Sequence, residues 1–250
     1  MADVMEPSIK ERLWHKMRAD LGRFVPETLQ NDLLMCCTCG RFLPQEHFDL
    51  EHLVPQQALR NDPPEVRKNP ATPANVRSGN LLLCKKPLMY KKSPLYDNGC
   101  NSWKGRFYDK KISDIFSGKA TESGRISNTH IIGGLALGYL AMVAEFGYVV
   151  TLMGSGRLMR EQFFLHQQFH PLLGARYQML LAGAPFTGMD EKVWQSPFSF
   201  SYQRGACIVA ARNFSMMVPA DRDPADPIAR HVKLVPSKYA FRPDFSTSFD

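Results

Sequence analysis

The stretch "FDLEHLVPQQALR", Phe48 to Arg60, decides how this chain is read. Glu51 and His52 stand side by side, followed by the apolar pair Leu53-Val54 and then Pro55. Neighbouring residues on a strand point to opposite faces, and proline cannot donate to a ladder. A strand ending at this pair therefore carries a carboxylate and an imidazole at its tip. Whether that tip is a site depends on what the rest of the chain brings to it.

The chain has 250 residues, 44% of them apolar, enough for a sizeable core in one large domain or two small ones. The opening "MADVMEPSIKERLWHKMRADLG" has no apolar signal region, so the expected location is the cytoplasm. The net charge is +7 and all of it lies in one window. Between Arg77 and Lys111 there are nine Lys/Arg against two acids, and elsewhere the charges balance. Tyr90, Tyr96, Trp103, Phe107 and Tyr108 are interleaved with the basic residues. Localised positive charge with aromatics is the footprint of a polyanion partner. A lone lysine run would read as a solvated loop. Concentration of the whole excess favours nucleic acid, with Lys85, Lys86, Lys91, Lys92, Lys104 and Arg106 as the candidate contacts.

Five of the six cysteines fall between Cys36 and Cys100. With no secretory signal, metal binding is favoured over disulfides. "MCCTCGRFLP" presents Cys36 and Cys39 at knuckle spacing, with Gly40 and Arg41 suited to the turn. A tetrahedral Zn²⁺ needs four ligands, and Cys84 with Cys100 is the natural second pair. "KKPLMYKKSPLYDNG" between them reads as an inserted loop. Cys37 is expected to point away, and Cys207 to be a small core residue.

The order is then a Cys pair, "DLEHLVP", "GNLLLC" and "CNSWKG". This resembles the HNH endonucleases across about residues 34 to 110. The residues carrying the resemblance are Glu51 to Pro55, Asn80 to Cys84, Cys100-Asn101 and Lys104-Gly105. The sequence departs from the usual pattern in the insert between Cys84 and Cys100, and in Glu51 where many members have Asp. The resemblance implies an α+β fold with a ββα-metal core and structural zinc; the apolar and β-like runs after it add a mixed α/β C-terminal domain. The expected organisation is an N-terminal amphipathic helix in residues 1–30, the nuclease unit in 31–115, and a C-terminal domain in 116–250.

The residue types fit phosphodiester hydrolysis. Near neutral pH a neutral His52 can take a proton from water as general base. Glu51, across the backbone, can bind a divalent ion, with Asn101 as a second oxygen ligand and Asp49 as a possible extra one. So few protein oxygens suit a catalytic Mg²⁺ or Mn²⁺. By the family pattern Asn80 holds the His52 ring. Lys104, one turn beyond Asn101, is expected to reach a phosphate. The expected function is a metal-dependent HNH endonuclease on DNA, with RNA open as a target. The alternative is a zinc-stabilised nucleic-acid-binding module without catalysis.

Ile9, Leu13, Trp14, Met17 and Leu21 share one face of a helix over 8–22 that caps the unit. "NDPPEVRKNPATPA", 61–74, has four prolines and no period, and reads as a loop. "THIIGGLALGYLAMVAEFGYVVTLM" is long enough to span a membrane. Its glycines and the break at Gly147 favour a core helix over 129–146 and a strand over 148–153, so no membrane is expected. "FSFSYQ", "ACIVAAR" and "HVKLV" read as strands of a domain that offers a surface for a protein partner. "HQQFH" has helical metal spacing but lacks a glutamate, and "GSGR" reads as a turn rather than a phosphate nest.

Overall fold

A computed structural model describes residues 6–90, 93–96, 98–122, 126–173, 179–203 and 205–220. The helix Ile9–Gly22 opens with a capping box. Ser8 Oγ accepts from Glu11 N (3.2 Å), and Glu11 Oε2 accepts from Ser8 N (2.7 Å). Trp14, Met17 and Leu21, spaced for one helix face, are buried. Trp14 packs on Phe48, ring centroids 5.7 Å apart, so this helix covers the strand that carries the Glu-His pair.

Two small antiparallel ladders come next. Strands β1 (Leu34–Met35) and β2 (Phe42–Leu43) hold the cysteine knuckle in the turn between them. Strands β3 (Phe48–His52) and β4 (Asn80–Cys84) pair with Phe48 opposite Cys84 and His52 opposite Asn80. The segment 61–74 within the connection from β3 to β4 is not wholly the loop expected, since Pro64–Lys68 is helical. The connection contains short helices at Gln56–Leu59, Pro64–Lys68 and Ala74–Ser78. Proline at the first helical position costs no hydrogen bond, so the proline-rich run starts a turn of helix instead of forbidding one. The insert after Cys84 is likewise a hairpin, β5 (Leu88–Tyr90) against β6 (Ser93–Tyr96). Lys91 and Lys92 lie outside the described residues.

From Cys100 the chain runs helically to Phe116, with one widened π turn at Gly105–Asp109. The apolar stretch is the helix Asn128–Phe146, long and apolar enough to cross a membrane, with two thirds of that window buried. Its Gly134 and Gly138 face the C-terminal sheet. An added Cβ would meet Met216 Cε at 2.9 Å and Val218 Cγ2 at 2.7 Å, so glycine sets how closely helix and sheet approach.

Tyr148–Leu152 is a helix and not the expected strand. Its β-branched run favours a strand locally, but Gly147 at φ 80° turns the chain and Asp20 Oδ2 accepts from Tyr148 N (2.6 Å). Tertiary contacts decide against propensity here. "GSGR" opens the helix Gly154–Phe163, where Gly156 sits tightly on the Val150 carbonyl, so it is neither a turn nor a nest. His166 stacks on Phe107 (3.9 Å), while His170 pairs with Glu161 (3.0 Å). The two histidines lie outside any helix and do not share a metal position.

The last described unit is an antiparallel sheet of strands β7 (Met179–Leu181), β8 (Ser199–Gln203), β9 (Ala206–Ala211) and β10 (Phe214–Pro219), in the order β7-β10-β9-β8. The third expected strand, "HVKLV", lies outside the described residues. The mixed α+β expectation holds, with one continuous core running from Trp14 to Ala220. Asp62, Arg77 and Arg212 form a buried ionic cluster between the β3–β4 connection and the β9–β10 turn. Arg212 Nη1 donates to Asp62 Oδ1 (2.8 Å), and Arg77 Nη1 bonds the other carboxylate oxygen. The Arg212 guanidinium also lies 4.6 Å from the Trp194 ring centroid.

Candidate functional site

The knuckle is built by backbone geometry. Cys36 N donates to Arg41 O (2.9 Å) and Gly40 N to Cys36 O (2.9 Å), with Gly40 at φ 71°, where a side chain is strained. The opposite side is set by β4 and by the start of the Cys100 helix. Gly99 lies so close to the Cys84 carbonyl that a Cβ there would stand 2.2 Å from the oxygen.

These turns gather Cys36, Cys39 and Cys100, with all three sulfurs within 4.8 Å of one another. The Cys36–Cys100 separation is 3.9 Å, and tetrahedral zinc at 2.3 Å from each thiolate requires about 3.8 Å. The donor set therefore fits such an ion. Cys84, expected as the fourth ligand, is not one of these three; the neighbouring Cys100 and Cys39 thiols lower its pKa to about 4. Similar contacts with Cys100 and Cys36 bring Cys39 to about 7, whereas burial pushes Cys36 up to about 11. Cys37 stands outside the group, and its carbonyl accepts from Tyr139 OH (2.7 Å). Cys207 is buried in β9.

Arg41 was expected only to suit the turn, yet its guanidinium braces the cluster. Nε donates to Cys39 Sγ (3.2 Å) and Nη2 to Cys84 Sγ (3.2 Å), while Lys86 N donates to Cys84 Sγ (3.3 Å). Donors to the sulfurs lower the cost of holding thiolates together. The available signal was a cation two residues after the second knuckle cysteine.

At the other end of the ladder, Leu53 N to Gly79 O (3.1 Å) and Val54 N to Ser78 O (3.0 Å) carry the pairing past His52. The ring is half-buried, and its Nδ1 shares a hydrogen bond with Ser78 Oγ (2.9 Å). Ser78 Oγ donates in turn to Asn75 O (3.1 Å), as does Asn80 Nδ2 (2.7 Å). Asn80 faces the ring across the ladder, but the Nδ1 partner is Ser78, which sequence reasoning missed because a serine before a strand carries no signal. Burial lowers His52 below the usual imidazole 6.5, and the nearby Lys104 charge lowers it further against the Asn80 side chain. A cleft of about 450 Å³ borders Asn80, with Arg12, Lys16, Asn75, Phe198 and Phe200 among its walls.

Glu51 and Asn101 are not arranged as the expected divalent-ion ligands. Asn101 Nδ2 points to Leu50 O (3.5 Å), tying the helix start to β3. The buried Glu51 carboxylate meets Lys104 Nζ at 2.6 Å. Nζ also bonds Asp109 Oδ1 (2.7 Å) and His52 O (3.1 Å). Lys104 is 0% exposed, so it cannot be the phosphate contact expected of it. Burial works against its charge, but the facing Glu51 and Asp109 outweigh that and raise its pKa. Burial raises the Glu51 pKa from its ordinary value in spite of Lys104. Mg²⁺ or Mn²⁺ does not fit this position, because an ammonium stands where the ion would. Asp49 is on the surface instead, paired with Lys85 (3.5 Å) and Lys10 (3.8 Å). Lys85, Lys86 and Arg106 are exposed, as nucleic-acid contacts require.

Neither a family model, a curated protein nor a solved structure matches this chain.

Proposed function

We propose that residues 31–115 form an HNH-type ββα unit that hydrolyses phosphodiester bonds in nucleic acid, with His52 as general base and a structural Zn²⁺ on Cys36, Cys39, Cys84 and Cys100. The observation that carries this reading is the His52 ring at the end of the β3–β4 ladder, anchored by Ser78 and faced by Asn80. A half-buried imidazole with a lowered pKa stays neutral at neutral pH and can take a proton from an attacking water. Its partner at Nδ1 leaves Nε2 for that task. Exposed Lys85, Lys86 and Arg106 supply positive charge for the phosphate backbone. The zinc, when bound, supplies no chemistry to the reaction: it pins β1, β2, β4 and the Cys100 helix to one point.

The test is cleavage of supercoiled DNA, linear duplex DNA and single-stranded RNA by the purified protein and by His52→Ala. Cutting of at least one substrate, lost in the variant, supports the reading. Cutting that persists at the parent rate in His52→Ala refutes it.

One observation favours the non-catalytic, zinc-stabilised binding module. Glu51, the residue that would hold a catalytic ion, is closed off by Lys104. Tight nucleic-acid binding with no cleavage of any of the three substrates would establish that alternative.

A further inference from the structure

We propose that Lys104 is the resident cation of the Glu51 position: its ammonium fills the space between Glu51 and Asp109, and the protein binds no divalent ion there. The corollary rests on the hydrolase reading above: hydrolysis at His52 then proceeds without such an ion.

The geometry is fully committed. An ammonium has three hydrogens, and Lys104 Nζ has three acceptors. They are Glu51 Oε1 at 2.6 Å, Asp109 Oδ1 at 2.7 Å and His52 O at 3.1 Å. The arrangement depends on the widened turn at Gly105–Asp109, which returns the carboxylate of Asp109, five residues on, to the Lys104 head. Regular helical spacing places residues three and four apart on one face, so the π turn is what closes the triad. Mg²⁺ needs six oxygens near 2.1 Å and keeps several waters. A side chain with no exposed surface leaves no room for that shell, and the fixed positive charge repels a second cation. Through His52 O, Lys104 also fixes the backbone of the base, which makes it a positioning residue that cannot itself touch substrate.

The same atoms imply the converse. Without the lysine head, two carboxylates and a carbonyl oxygen face a shared space, a donor set that suits a hard divalent ion. Removing the ammonium uncovers a metal site.

The experiment is Mn²⁺ titration of the zinc-loaded full chain, followed by electron paramagnetic resonance of free Mn²⁺. Wild type is expected to take up no Mn²⁺ that Glu51→Gln abolishes. Lys104→Ala is expected to bind Mn²⁺ more than about tenfold tighter, from loss of a unit charge a few ångströms away. Adding Glu51→Gln to that variant should remove the gain. Lys104→Met serves if the alanine variant does not fold, and the wild-type arm decides even if both fail. A wild-type Mn²⁺ site lost in Glu51→Gln overturns the proposal, and so does a well-folded Lys104 variant with no gain. Cleavage assays read the hydrolase proposal separately. Absence of cutting leaves the Mn²⁺ result standing, whereas cutting that needs Mg²⁺ and is lost in Glu51→Gln sinks Lys104 as the resident cation.

Discussion

Arg41 Nη2 lies 3.2 Å from the Sγ of Cys84, a residue on a separate ladder. The same guanidinium donates through Nε to Cys39 (3.2 Å), so one side chain spans both halves of the cysteine cluster. Loss of a residue that supports metal ligands typically costs about 10- to 100-fold in affinity. Arg41→Ala should therefore bind zinc about that much more weakly, read by competition with a colorimetric chelator. Cys39→Ser and Cys84→Ser should lose the ion and much of the thermal stability, because binding energy in such units is folding energy. Elemental analysis that finds no zinc in fresh, unchelated protein would refute the assignment.

Gly99 is the tightest point of the same region. Gly99→Ala would push a methyl group into the Cys84 carbonyl, and backbone cannot move aside as a flexible side chain can. Overpacking of this kind costs about 1–3 kcal/mol. Chemical denaturation should show that loss together with weaker zinc retention. A variant as stable as wild type would mean that the Cys84–Gly99 approach is loose in solution.

His52 should set an acid limit. Its pKa lies below 6.5, through burial first and Lys104 second. Proton loss activates a general base, so the single-turnover cleavage rate should be level at neutral pH and fall with a midpoint below 6.5. The folded protein binds this proton less tightly than the unfolded chain. The stability contributed by His52 is therefore full above 6.5 and is lost as pH falls through the lower folded value. Proton NMR titration of the His52 ring measures the same midpoint, and a value at or above 6.5 would contradict the burial argument. His52→Ala should slow cleavage about 10²- to 10⁴-fold while leaving nucleic-acid affinity nearly intact.

The basic window should act on binding alone. Replacing Lys85, Lys86, Lys91 and Lys92 together removes four of the nine cations that carry the net charge. Affinity should fall on many sequences alike, and the log–log salt slope should flatten by about one unit for each phosphate no longer neutralised by a lysine. An unchanged slope, measured by fluorescence anisotropy between low and moderate salt, would mark the insert as a solvated hairpin.

Where the sequence was legible, short-range chemistry was the reason. The Cys36-x-x-Cys39 spacing dictates a knuckle, the helix over 9–22 is written in its apolar face, and Pro55 ends the strand that carries His52. What stayed hidden depends on partners distant in the chain. Lys104 looked like an exposed phosphate contact because nothing near it announces that Glu51, fifty-three residues earlier, lies against it, or that a π turn returns Asp109. Ser78 gives no local sign of reaching the imidazole. Val149 and Val150 favour a strand until Asp20 and Gly147 hold that segment in a helical turn.

The Asp62–Arg77–Arg212 cluster bears on whether residues 31–115 can exist by themselves. Asp62 lies in the β3–β4 connection, and one of its two cations comes from the far end of the chain. Cutting the chain after Phe116 would strip away Arg212, and with it the helix Asn128–Phe146 that covers Tyr108 and Ile112 from the other side. The remaining fragment would expose apolar surface and lose half of a buried charge balance. Residues 31–115 thus share their core with the C-terminal half, and calorimetry of the full chain is expected to show both melting in one transition.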